Sequence, residues 1–303
     1  MNKPDILTGS PGKALLFFAF PMILGNLFQQ LYNMADSIIV GSFVGEDALA
    51  AVGASYSFTT VFIMIALGGG IGASVLTSQF FGAAQYRKMR TSIYTALFTF
   101  LAISILLACL GLFVNRSVLE ALHTPQGIMT DALTYLNIYF LGLPFLFMYN
   151  ILSAIFNSLG KSHIPLGLLI FSSLLNVGLD LLFVAVFSMG VGGAALATVI
   201  AQGVSVAASF LVLLATIKQY REASEYPTVS EISVDGVAQI EHLDGRMVSE
   251  RVAIFDKMML IRGTKIAIPS ILQQSIVSIG MLLVQSVVNG FGSSALAGYT
   301  AGS

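Results

Sequence analysis

Residues 14–43 read ALLFFAFPMILGNLFQQLYNMADSIIVGSF. The run holds one charged residue, Asp36, and as an α-helix it would extend about 45 Å at about 1.5 Å per residue. A bilayer with a hydrocarbon core about 30 Å thick needs about 20 apolar residues, so this stretch spans one with length left for tilt or projection. It is too long for a signal-peptide core and lacks a small-residue cleavage pattern, which makes it a retained helix. Apolar runs of the same kind predict six further spans at 49–81, 91–113, 132–158, 164–187, 191–216 and 266–288, and the start of an eighth helix beyond them. Composition agrees: 56% of the 303 residues are hydrophobic, 10% are charged, and the mean hydropathy is +0.87. A soluble domain has about 25% charged residues to solvate its surface. The expected fold class is therefore an all-α polytopic membrane protein; a barrel would show short alternating segments instead. Disorder, nucleic-acid binding and a secreted disulfide scaffold are excluded. The single cysteine, Cys109, lies within an apolar run and is expected to be inert packing.

The basic residues set an orientation. With the spans above, Lys3, Lys13, Arg87, Lys88, Arg90, Lys161, Lys218, Arg221, Arg246, Arg251, Lys257, Arg262 and Lys265 fall on one side, and only Arg116 falls on the other. Lys and Arg are retained in the cytoplasm, so the amino terminus is expected there, in a multi-pass protein of the cytoplasmic (inner) membrane. A seven-helix receptor would begin outside, and a retinal-binding pump needs a lysine within a span, which this chain lacks. Residues 217–265 form the one long hydrophilic stretch, with seven basic and eight acidic residues. They read as a cytoplasmic linker, with a possible small hairpin over 229–243 around Asp235-Gly236.

The first span recurs. Ala19-Phe20-Pro21-Met22-Ile23-Leu24 matches Ala267-Ile268-Pro269-Ser270-Ile271-Leu272 at an offset of 248, and both copies start from a basic flank. The expected organisation is a six-helix transmembrane lobe over 1–216, the linker over 217–265, and the start of a parallel second lobe over 266–303. Transporters built from such repeats pass solute between the halves. By the same offset a complete second copy would run to about residue 460, so the chain is expected to be a fragment or truncated product.

Only two acids, Asp36 and Asp180, fall inside spans, with no Lys, Arg or His. A carboxylate at a helix centre costs about 2.5–3.5 kcal/mol on insertion scales, so each is expected to face a cavity or a cation. Asp36 lies seven residues before Phe43 and Asp180 seven before Phe187, which puts both about 10 Å below the same surface. Asn26, Gln29, Gln30, Asn33, Asp36 and Ser37 recur at helical spacing as one polar stripe. Asn176 sits one turn from Asp180 on the same face, and the sixth span offers Thr198, Gln202 and Ser205. Neutral polar residues in spans also serve as hydrogen-bonding glue between helices, a role the two aspartates fit poorly.

These residues resemble the multidrug and toxic compound extrusion family, in the branch similar to DinF and MepA-type bacterial efflux proteins. The resemblance rests on Pro21 with Tyr32-Asn33-Met34-Ala35-Asp36-Ser37, on Asn176 to Asp180, on Thr198, and on Ile268-Pro269-Ser270-Ile271-Leu272-Gln273-Gln274. It implies twelve helices in two six-helix lobes, and export of small cationic or amphipathic compounds in exchange for H⁺ or Na⁺. It also implies that Asp36, Asn176, Asp180 and Thr198 form the amino-lobe cation site, the two aspartates being metal ligands only if the ion is Na⁺. Gln29, Gln30, Asn33 and Gln202 are candidates for the polar substrate path. Members similar to the NorM branch carry an acid early in the seventh helix, where this chain is neutral. No cofactor is expected, and the expected partners are substrate, lipid and a second lobe.

Gly68-Gly69-Gly70-Ile71-Gly72 lies in an apolar span with no following Lys, so it is not a phosphate loop but a point of close packing or flexibility. Pro21 and Pro144 each remove a helical hydrogen bond. A kink at Pro21 is either structural or the hinge at which the first helix bends when Asp36 changes protonation. Competing functions are a lipid-linked oligosaccharide flippase, which would line its cavity with basic residues, and a nontransporting remnant. An enzyme is not expected, since the spans hold no His and no Cys–His pair. The orientation predicts that single cysteines near Lys88 and Lys161 react only with reagent on the cytoplasmic side, and one near Glu46 only from outside. Labelling of the Lys88 loop in intact cells would reverse the topology.

Overall fold

The computed structural model describes residues 11–225 and 253–302. Eight α-helices occur among them: α1 (Pro11–Phe43), α2 (Glu46–Gly82), α3 (Tyr86–Ala121), α4 (Met129–Ser158), α5 (His163–Asp180), α6 (Gly190–Glu225), α7 (Lys257–Asn289) and α8 (Ser293–Gly302). Each expected span except the fifth falls within one helix, and those helices are longer than the apolar runs. α2 and α3 have 37 and 36 residues, about 55 Å at about 1.5 Å per residue, so their charged ends project beyond the hydrocarbon. The six helices α2 to α7, with α5 counted through Val186, are long and apolar enough to cross a membrane. The hairpin expected over 229–243 lies outside the described residues.

Short connections reverse the chain at each end. α1 and α2 are joined through Val44 and Gly45, and Gly45 at φ 119° takes a backbone conformation that side-chain-bearing residues avoid. Lys88 in the first turn of α3 and Lys161 in the α4–α5 turn lie at one end of the bundle, called here the basic end. A 3₁₀ turn (Gln126–Ile128) leads into α4 at the opposite end. The fifth span differs from the expected single α-helix. After Asp180 it widens into a π-helical turn over Leu181–Val186, closed by Phe187 N–H donating to the Leu182 carbonyl at 2.9 Å.

Three apolar clusters hold the bundle. Phe58, Phe62 and Phe140 meet edge to face with centroids 5.0–5.5 Å apart between α2 and α4. Near the basic end, Met89, Ile93, Ile151, Ile155, Phe156 and Leu213 join α3, α4 and α6. At the opposite end, Ile39, Val40, Ala48, Val52, Val184, Val191 and Ala194 close the space above Asp36 and Asp180. Cys109 is exposed rather than packed, because α3 turns that face away from the other helices.

The glycine run is a packing surface on three sides. A Cβ on Gly68 would lie 2.7 Å from Ile271 Cα, one on Gly69 2.7 Å from the Phe100 ring, and one on Gly70 3.4 Å from Ala154 Cβ. A Cβ on Gly72 would lie 2.5 Å from the Gly263 carbonyl oxygen. Two of these four glycines face α7, so α2 and α7 approach backbone to backbone, as small residues allow in membranes. Gly72→Val must therefore push α7 away, at a cost of about 1–3 kcal/mol. The expected result is a clear loss of thermal stability in detergent, with Gly82→Ala, where a Cβ meets open space, unchanged. Equal melting of both variants would contradict this packing.

Candidate functional site

Three helices bring the intramembrane acids together below the apolar cap. α1 presents Tyr32 and Asp36 one turn apart on one face. The last turn of α5 presents Asn176 and Asp180, which are 1% and 0% exposed. α6 supplies Thr198 one turn after Ala194. The π-turn begins at the residue after Asp180, so the site lies where the regular i→i−4 ladder ends. The start of α6 fits against that bulge because residue 193 is glycine. A Cβ there would stand 2.9 Å from Met189 Cβ and 3.2 Å from Phe183 Cβ.

The polar groups form one chain of contacts. With its amide nitrogen turned toward the carboxylate, Asn176 donates to Asp180 Oδ2 at 2.7 Å. Its carbonyl then accepts from the Thr198 backbone N–H at 3.1 Å and lies 3.2 Å from Thr198 Oγ1. The Thr198 hydroxyl is also 3.1 Å from the Ala194 carbonyl, so its single proton serves one oxygen at a time. Asp36 and Asp180 are within hydrogen-bonding reach of each other, and Tyr32 is within reach of Thr198. Oδ1 of Asp36 and Oδ1 of Asp180 are buried and find no hydrogen-bond partner among the described residues. Two carboxylates in contact, each with a free buried oxygen, form a set of hard oxygen donors suited to a proton or a small cation.

Asp36, Asn176, Asp180 and Thr198 are thus brought together. The other residues singled out in the sequence are not. Gln29 and Gln30 are exposed along α1, and Asn33 Nδ2 donates to Gln30 Oε1 at 3.3 Å within the same stripe. Gln202 is half-buried one turn beyond Thr198, and Ser205 beyond it is buried with an unpartnered hydroxyl. Pro21 lies inside α1, four turns from Asp36, and the helix continues through it. The sequence names Tyr32 only as part of the family resemblance and gives Tyr135 no role. Tyr32 and Tyr135 lie close enough to both aspartates to feel their charge, and Tyr135 stacks on Tyr139 with centroids 6.4 Å apart. Tyr32 was detectable as the residue one turn before Asp36; Tyr135 comes from α4 and carries no local signal. Among the described residues no group of three or more His, Cys, Asp or Glu could hold a metal ion.

Comparison with known proteins gives a consistent picture. The family model MatE matches residues 21–182. The "Probable multidrug resistance protein YpnP" of Bacillus subtilis (strain 168) is 30% identical over 302 residues, covering 99% of this chain and 61% of its own length. The "Multidrug export protein MepA" of Staphylococcus aureus (strain MRSA252) is 24% identical over 289 residues, covering 95% and 58%. A solved structure of MATE in the bent conformation aligns with a TM-score of 0.72 at 23% identity over 99% of this chain and 61% of that one. The chain spans about three fifths of the length of the curated relatives it matches.

Proposed function

The chain belongs to the MatE family, and from that premise we propose that it carries the cation-coupling site of a multidrug exporter. The observation that supports this reading is the contact between Asp36 and Asp180, each with a buried oxygen that has no partner. A structural role would leave such atoms hydrogen-bonded, since an unsatisfied polar group in hydrocarbon is costly. Asp36 and Asp180 hold the coupling ion, H⁺ or Na⁺. If it is Na⁺, Thr198 and Asn176, its amide turned, add neutral oxygens.

The coupling is electrostatic. Two adjacent carboxylates attract a cationic or amphipathic drug when neither H⁺ nor Na⁺ compensates them. Once the ion binds from outside, that attraction falls and the drug is released. Pro21 is the hinge of α1 in this cycle. Gln29, Gln30, Asn33 and Gln202 border the substrate path. The amino terminus is cytoplasmic, residues 1–216 form one lobe, and 266–303 open a second that completes the cavity. A flippase for phosphate-linked oligosaccharides fits less well, because the spans offer two acids and no base.

Asp36→Asn keeps the shape and removes one charge. In proteoliposomes the expected outcome is loss of drug-driven H⁺ or Na⁺ exchange, at least tenfold, with normal expression; Asp180→Asn is expected to be equal or milder. Wild-type exchange in the Asp36→Asn protein would show that the aspartate is structural and that coupling lies elsewhere.

A further inference from the structure

A second buried polar cluster, which includes neither aspartate, joins α2 to α7 at the end opposite the basic loops. Ser57 Oγ donates to Gln285 Oε1 at 2.9 Å, Gln285 Nε2 donates to Asn289 Oδ1 at 2.8 Å, and Asn289 Nδ2 donates to the Leu122 carbonyl at 2.8 Å. Gln285 and Asn289 are 1% and 2% exposed. The chain of bonds thus runs from the first third of α2, through the last turn of α7, to the residue that follows α3. It is the polar counterpart of the glycine contacts, which hold the same two helices together nearer the basic end.

The two contact zones respond differently to separation. Glycine packing is apolar and continuous, and it gives no preference for one discrete arrangement. Hydrogen bonds between amide side chains are either made or broken, and in hydrocarbon a broken one leaves its groups searching for another partner. Opening the helices at this end would release Gln285 and Asn289 into water, which satisfies them. Opening them at the basic end would leave the network intact. The cluster therefore resists opening until water reaches it and then loses its advantage, which is how a two-state latch behaves.

We propose that Ser57, Gln285, Asn289 and the Leu122 carbonyl form a latch that holds α7 against the first lobe and keeps the end opposite the basic loops closed. The proposal rests on the reading of α7 as the first helix of a second lobe; the latch then sets how often the cavity opens on the side where drug leaves. Ser57 is the releasable partner, because its hydroxyl can turn back to its own helix. Gln285 is the centre, since it both accepts and donates.

The test is a distance measurement on the protein in lipid nanodiscs, in a Cys109→Ala background with spin labels at Asp47→Cys and Phe291→Cys, both exposed near the ends of α2 and α7. The latched protein is expected to give one dominant short distance. Gln285→Leu, which keeps the volume and removes both bonds, is expected to raise a longer-distance population at least fivefold, and Ser57→Ala to raise it less. If Gln285→Leu does not fold, the Ser57→Ala shift alone carries the decision. An unchanged distribution in every variant that folds would overturn the latch. The distances are read without substrate or Na⁺ and at one fixed pH, so failure of export in Asp36→Asn protein and failure of the latch are separate results.

Discussion

Two carboxylates in contact inside a bilayer cannot both keep an uncompensated charge, and the arrangement around Asp36 and Asp180 follows from that constraint. At an effective dielectric of about 20, two unit charges about 4 Å apart repel by about 4 kcal/mol. A fold that places them together must therefore let something compensate the charge. Asn176 engages one oxygen of Asp180, and the Oδ1 atoms of both aspartates remain free. The apolar cap of Ile39, Val40, Val52, Val184 and Val191 separates the pair from the surface above it. The π-turn after Asp180 shifts the chain's path just beyond the carboxylate, and Gly193 lets α6 follow that shift and bring Thr198 within reach.

The same bundle has two kinds of helix contact, and they divide the work. The pairs α2–α4, α3–α4 and α4–α6 are joined by large apolar side chains, with Gly142 fitted beneath Val199, and they make a body whose core resists deformation. The α2–α7 seam is built from glycines toward the basic end and hydrogen-bonded amides toward the other. Few large apolar side chains cross that seam, and its two ends respond differently to separation. Asp36 and Asp180 lie outside that body, on α1 and α5, which pack against each other.

Much of this was legible in the sequence because membranes make polar residues expensive. Asp36 and Asp180 stood out as the only charges in the spans, and their equal spacing from Phe43 and Phe187 pointed to one depth before any contact was known. The glycine run was legible as packing for a similar reason: four small residues in five positions leave a helix with no side chains to keep neighbours apart. Other features left no local trace. Leu181–Val186 is uniformly apolar, so its hydropathy fits an α-helix as well as a π-turn. Tyr135 joins the aspartates only through the packing of α4. Gln285 and Asn289 carry no local signal of their contacts, because their partners Ser57 and Leu122 are 228 and 167 residues away. The exposure of Cys109 depended on which face of an evenly apolar helix met lipid.

The central claim is that one site on this chain binds either the coupling ion or senses the drug's charge, with each weakening the other. The most direct measurement is the affinity of the purified protein for a hydrophobic monovalent cation such as tetraphenylphosphonium, titrated against pH and separately against Na⁺. The account predicts that affinity falls as H⁺ or Na⁺ rises, and that this dependence disappears when Asp36 and Asp180 are both changed to Asn. An affinity that stays constant across pH and Na⁺ in the unmodified protein, or a dependence that survives in the doubly substituted one, would contradict it.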